Sequence, residues 1–248
     1  MKALRPIVRS GGPPLTTPWQ RTRRHLVAAV AWMPAAAVAM PLRAVAASAA
    51  VPPAVRELDA AALALFDAAE TGRWPQARAA LDRARQAAAE VGALEAAYTE
   101  AGGELHRFYA AKNAIGGDLI EARTALAAKD RRWLVSVADR LIARAGELAL
   151  PFAPRADAVT PRIETLLFLA RRMRRALVWE DPVGYREAQR DFESLWKSLR
   201  GELATSVDAK RLDALDAALA RAARSRTIAD ARALHDAVMA LRADRRTR

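Results

Sequence analysis

Apolar residues recur at steps of three and four through residues 51–248, the spacing that places them on one face of an α-helix. The clearest such stripe consists of Leu58, Ala62, Leu65, Phe66 and Ala69. Val and Ile are sparse, and no window alternates apolar and polar residues between hairpin turns. The pattern therefore predicts an all-α chain.

Proline, glycine and short polar residues mark the helix ends. Gly72 ends the first helix, and Pro75 favours the first turn of a second that runs to about residue 101. Paired glycines at 102–103 and 116–117 predict either one kinked helix or two short ones up to residue 128. Later helices are expected to start at Asp130, Thr160, Asp181, Ser206 and Thr227. About seven to nine helices result, and their short loops favour an antiparallel helical bundle or an irregular array of helical hairpins.

The first hairpin has a distinctive turn. Gly72-Arg73-Trp74-Pro75-Gln76-Ala77, followed by Leu81 and Ala84, resembles the second half of a tetratricopeptide hairpin. This resemblance implies helical-hairpin packing and a surface for a partner, not an activity. Weaker copies include Trp133 and Tyr185, but the three aromatic residues are 59 and 52 positions apart, whereas the regular repeat is about 34 residues. We expect all three to be core anchors at hairpin turns.

The N-terminal segment has the order of an export signal. A basic stretch ends at Arg23 and Arg24, an uncharged run covers residues 26–42, and small residues follow. Within them, Ala47 and Ala49 form an Ala-x-Ala cleavage site around Ser48. We therefore predict a signal peptide at 1–49, with a disordered basic start and an apolar centre. A single all-helical domain at 50–248 would then be periplasmic or otherwise exported.

The type of signal carries further information. Thr22-Arg23-Arg24-His25-Leu26-Val27 resembles the twin-arginine pattern, which implies export of an already folded protein. The match is partial, and an ordinary signal with a chance arginine pair is one alternative. A retained membrane anchor is another, because the uncharged run has 17 residues and the shortest membrane-spanning helices have about 17. With cleavage, the chain meets the membrane only during export.

Charge and cysteine content narrow the function classes. Residues 1–50 hold seven basic residues and no acidic one, so the formal charge of +12 drops to +5 without them. This removes most of the case for nucleic-acid binding. The chain has no Cys, which excludes disulfides, thiolate metal sites and a lipid-modified N-terminal cysteine.

Catalytic and metal chemistry finds little support. His106 and His235 are far apart in sequence and neither lies in a His-x-x-x-His or Glu-x-x-His pair. Asp208, Asp213 and Asp216 alternate with basic residues, as on a solvated helix face. No phosphate-binding loop or nucleophile motif is present. We predict no catalytic residue, no metal and no cofactor.

The strongest local charge lies at Arg171, Arg172, Arg174 and Arg175, one turn before Trp179. Four arginines in five residues repel one another unless acidic neighbours or an anionic ligand compensate them. Acidic residues of adjacent helices are the structural explanation. A groove for an anionic ligand or an acidic partner, lined by these arginines and Trp179, is the functional one.

The sequence therefore favours an exported, non-enzymatic binding or adaptor protein of the cell envelope. A periplasmic bundle that binds a small ligand or a metal is the main alternative, and an enzyme of unknown type comes third. A protein partner or an anionic ligand is expected, and nucleic acid is not. The pattern does not predict an oligomeric state.

Overall fold

The computed structural model describes residues 50–152 and 159–246, with side chains to residue 243. These residues contain eight helices of 17 residues or more, one short helix, and no strand. The prediction of an all-α fold is confirmed. In chain order the helices are α1 Pro53–Glu70, α2 Trp74–Val91, α3 Glu95–Glu100, α4 Leu105–Ala127, α5 Arg131–Ala149, α6 Thr160–Trp179, α7 Pro182–Leu203, α8 Ala209–Ser225 and α9 Ile228–Arg246.

Several helix starts follow the capping signals in the sequence. The Asp130 carboxylate accepts the Trp133 N–H at 2.9 Å, and Asp181 accepts those of Val183 and Gly184 at 3.1 and 2.9 Å. Two predicted starts are wrong by one to three residues. Helix α6 already includes Thr160, and α8 begins after Asp208, whose carboxylate accepts the Lys210 N–H.

The glycine-rich region resolves into one short and one long helix. The helix predicted to reach residue 101 ends instead at Val91, and a 3-10 turn then leads into α3. Gly102, with φ of 91°, ends α3 in a left-handed conformation that glycine adopts readily. Gly116 and Gly117 lie inside the uninterrupted α4, so of the two predicted alternatives the pair of short helices is wrong.

The described residues belong to one compact unit that contains two hydrophobic cores. The first core is formed mainly by α1, α2, α4 and α5 and includes Phe66 and Leu141. The second is formed by α6 to α9 and includes Phe192 and Leu234. Helix α6 packs on α7 and α9 and also meets α5 and α1. We call the contact of α6 and α9 with α1 and α5 the seam.

The three hairpin aromatics differ in burial. Tyr185 is buried, and its hydroxyl donates to the Ala222 carbonyl at 2.7 Å. Trp74 and Trp133 are only half-buried and pack against the edge of the first core. The small residues Ala77 and Ala84 of the first hairpin are fully buried.

The signal-peptide residues Arg23, Arg24, Ala47 and Ala49 lie outside the described residues. Within 50–152 and 159–246, no helix has the length and apolar content that crossing a bilayer requires.

Candidate functional site

The four clustered arginines all lie on α6, and the helix points them in different directions. Arg174 faces α1 and is completely buried. Its Nε donates to Glu70 Oε2 at 2.8 Å, its Nη2 donates to Glu70 and Asp67, and its guanidinium lies 4.7 Å from the centre of the Phe66 ring. Arg174 is therefore a seam residue without access to solvent.

Glu70 is also completely buried and pairs with a second cation. Arg232 of α9 donates to the same Glu70 carboxylate and to the Asp67 carbonyl. We call Asp67, Glu70, Arg174 and Arg232 the seam ion cluster. Burial alone lowers the pKa of Arg174, but the hydrogen bonds and charges of Glu70 and Asp67 outweigh it and raise that pKa above its ordinary value. The cluster contains two cations and two anions, so its formal charges balance.

Arg171 and Arg175 share one carboxylate of α5. Arg171 is buried and its Nε lies 3.1 Å from Asp139 Oδ1, whereas Arg175 Nη1 lies 2.7 Å from Asp139 Oδ2. The Arg175 side chain remains 35% exposed. Two cations on one anion leave Arg175 only partly compensated.

Arg172 points toward α7, where Glu187 Oε2 accepts from its Nη2 at 3.0 Å and Asp191 lies 3.7 Å away. Each of the four arginines thus has a carboxylate from another helix. The repulsion within the cluster is relieved by the tertiary structure, as the structural explanation requires.

Arg172, Arg175 and Trp179 nevertheless meet at an open groove of about 580 Å³ between α5, α6 and α7. Its main lining residues are Ser136, Arg172, Arg175, Trp179, Val183 and Glu187. Trp179 and Val183 are 47% and 55% exposed, so both present apolar surface to solvent at the groove. Of the five predicted site residues, the structure therefore brings Arg172, Arg175 and Trp179 together. The other two, Arg171 and Arg174, are buried in the seam against α5 and α1.

Hydrogen bonds hold the groove walls in place. Trp179 Nε1 donates to Ser136 Oγ at 3.2 Å, and that hydroxyl donates to the Arg132 carbonyl at 3.1 Å. Asp181 caps α7 at the groove rim through one carboxylate oxygen, Oδ1. The indole ring therefore lines the groove with its N–H already satisfied.

The remaining chemical candidates lie apart from the groove. His106 is exposed beside Glu104, and His235 is buried on α9, where burial lowers its pKa. Asp208 caps α8, while Asp213 and Asp216 pair with Arg200. In the part of the chain that the structure describes, no three His, Asp or Glu side chains gather as a metal site would require.

The sequence analysis identified the arginines and Trp179. It missed the residues whose contacts bury some of these arginines and leave others exposed. Asp139 and Glu70 lie in Ala- and Leu-rich helices and carry no motif. Ser136 likewise has no local signal, because only helix packing brings it to Trp179, whereas Val183 follows Trp179 across the short α6–α7 turn. Comparison of the chain with protein-family models, with curated proteins and with solved structures finds no match.

Proposed function

We propose that this protein is exported and acts as a non-enzymatic helical binding protein of the cell envelope. Its ligand or partner occupies the groove between α5, α6 and α7 and carries a negatively charged group. The observation that carries the proposal is the coincidence, in one groove, of the exposed Trp179 ring with the partly compensated Arg175.

The groove has the features of a recognition site. Binding pockets combine an apolar wall with a few polar groups that orient the ligand, and typical volumes are about 300–1,000 Å³. Trp179 and Val183 supply apolar surface, and the Arg175 guanidinium supplies donors of fixed geometry for a carboxylate or a phosphate. This arrangement also suits a small ligand, and a small-ligand-binding bundle is the main alternative hypothesis from the sequence.

A metal site receives less support. Hard metals need several oxygen ligands and zinc needs nitrogen, sulfur or oxygen ligands in close tetrahedral contact. The groove has two carboxylates, Asp181 and Glu187, and no histidine among its lining residues, which is fewer ligands than such a metal site requires. The binding of an organic anion or an acidic partner is therefore the better-supported version.

Two variants test the groove directly. Trp179→Ala and Arg175→Gln should each lower, by about tenfold, the amount of ligand or partner that co-purifies with the protein from envelope extracts. This is the effect of losing a well-placed aromatic or charged contact. Phe168→Ala and Arg190→Gln are matched controls, because Phe168 is similarly exposed on α6 and Arg190 is exposed on α7, both away from the groove lining. Equal retention by all four variants would contradict the proposal.

Export is supported by the order of the N-terminal residues and has its own test. Replacement of Arg23 and Arg24 by Lys should abolish export if the twin-arginine pathway recognises the pair. Replacement of Arg5 and Arg9 by Lys is the control with the same charge. Mass spectrometry of the exported protein should find a chain beginning at Ala50. A chain retaining Met1, or one embedded in the membrane, would refute cleavage.

A further inference from the structure

The groove lining carries as much negative as positive charge. Its cations are Arg172 and Arg175, and its anions are Asp181 and Glu187. A ligand with only negative charge would approach Arg175 but would also be repelled by the two carboxylates. Charge balance therefore points to a ligand that also carries a positive group.

The hydrogen-bonding atoms that remain unused in the groove belong to both positively and negatively charged side chains. Among the described residues, Arg175 has a hydrogen-bond partner only at Nη1, which leaves Nε and Nη2 as donors. Glu187 uses Oε2 for Arg172, and its side chain is 46% exposed, so Oε1 remains an acceptor. Asp181 uses Oδ1 for the α7 backbone and keeps Oδ2. The groove thus offers donors on α6 and acceptors on α7.

We propose that the ligand is a short zwitterionic peptide of about dipeptide size with apolar side chains. This rests on the proposed binding function of the same groove and names its ligand class. The peptide carboxylate binds Arg175, and its ammonium group binds Glu187 with support from Asp181. The apolar side chains lie against Trp179 and Val183.

The apolar part of the ligand follows from the exposed walls. Trp179 and Val183 each leave about half of their surface in water, and Ala176 also lines the groove. Covering these surfaces is favourable in proportion to the apolar area removed from water. Since the Trp179 N–H already donates to Ser136, the exposed ring contributes apolar contact and no hydrogen bond.

The ligand series separates the two charges. Isothermal titration calorimetry of the purified full-length chain compares leucyl-phenylalanine with its N-acetylated form and with its C-terminal amide. We expect each blocked form to bind about tenfold more weakly or worse, because each loses one charge-assisted hydrogen-bonded contact. Equal or tighter binding of the N-acetylated form would overturn the zwitterion assignment. Failure of all three to bind would overturn the peptide assignment as well.

Glu187→Gln provides a second readout. This substitution removes the acceptor for the ammonium group and frees Arg172. Compared with the parent protein, the variant should therefore bind leucyl-phenylalanine more weakly and the N-acetylated form more tightly. Glu193→Gln is the matched control, because Glu193 is exposed on α7 and pairs with Gln189 instead of the groove arginines. Unchanged binding of both peptides by Glu187→Gln would contradict the proposal. Circular dichroism verifies that each variant is folded.

The outcomes distinguish this inference from the proposed function. If Trp179→Ala and Arg175→Gln lose co-purifying material but no zwitterionic peptide binds, the groove is a binding site for another ligand class and only the inference fails. If those two variants retain everything that the parent retains, the groove is not a binding site and the proposed function fails with it.

Discussion

At the scale of single residues, burial changes the chemical behaviour of side chains that look alike in the sequence. Arg174 and Arg175 are neighbours, yet one is completely buried against Glu70 and the other is partly exposed at the groove. His235 and His106 differ in the same way: His235 is buried, whereas the His106 side chain is 76% exposed. Burial lowers the pKa of His235 below its ordinary value.

The displaced pKa of His235 predicts acid sensitivity. Burial lowers this pKa, and the nearby charges of Arg174 and Arg171 lower it further, against the opposing effect of Asp236. Because the unfolded chain then takes up the proton more readily than the folded one, the free energy of unfolding should decrease as the pH falls below about 6.5, the ordinary value for histidine.

Urea unfolding at about pH 7.5 and about pH 5 measures this loss, with the ordinary histidine pKa between the two. His235→Gln should lose less stability over that range than the parent, since Gln does not titrate. His106→Gln is the control and should behave like the parent. An equal loss in the His235 variant would assign the acid sensitivity to other groups.

At the scale of helices, local signals predicted most elements and failed where packing decides. Asp130 and Asp181 cap the helices that they were expected to start, because an aspartate side chain competes well for the first free backbone N–H groups. Gly116 and Gly117 were expected to kink or interrupt a helix, and α4 continues through them. A glycine costs a helix only about 1 kcal/mol relative to alanine, which the packing of α4 against α5 and α2 offsets.

Three helix connections contain a residue that the sequence does not mark. Lys129, Glu180 and Arg226 have φ between 49° and 57°, the left-handed region that glycine favours. Each follows a helix directly or after one residue and lets the chain reverse within a short turn. Glycine marks the helix end at Gly72 but not at these three positions. Non-glycine residues intrinsically disfavour this conformation, and here the neighbouring helices impose it.

At the scale of the whole molecule, two apolar cores meet across a polar seam. The seam ion cluster joins α1 of the first core to α6 and α9 of the second, and Asp139 of α5 binds Arg171 and Arg175 beside it. We expect these buried charges to favour the observed arrangement of the helices, because another arrangement would leave a cation without its partner in an apolar surrounding.

The seam predicts a large effect for a single substitution. Glu70→Gln removes the charge that compensates the buried Arg174 and should lower the free energy of unfolding by about 3–5 kcal/mol, as expected for breaking a buried ion pair. Glu57→Gln is the matched control: Glu57 pairs with Arg83 at the surface, where such pairs contribute at most about 1 kcal/mol.

Chemical denaturation of both variants tests the role of Glu70. The combined variant Glu70→Leu with Arg174→Met should recover much of the loss, since it replaces the two completely buried members of the cluster by apolar groups of similar size. Asp67 then remains as the partner of Arg232, whose side chain is 29% exposed. A small effect of Glu70→Gln would contradict the prediction and would show that Asp67 or water compensates Arg174 without Glu70.

The sequence alone determined the helical class, most helix starts and the location of the unusual charge. These properties depend on periodicity, capping and composition, which are local along the chain. The sequence also predicts an export signal with its arginine pair. Both stay predictions because residues 1–49 lie outside the described part of the structure.

Only the tertiary structure decided which arginines are accessible and which surface accompanies them. Glu70 and Arg174 are 104 residues apart, and Ser136 and Trp179 are 43 apart, so no local pattern pairs them. Their contacts arise because helices that bury their apolar faces must also bring particular polar positions together. The helix that carries the arginine cluster thereby presents Arg171 and Arg174 to the seam and the other two arginines to a groove with Trp179.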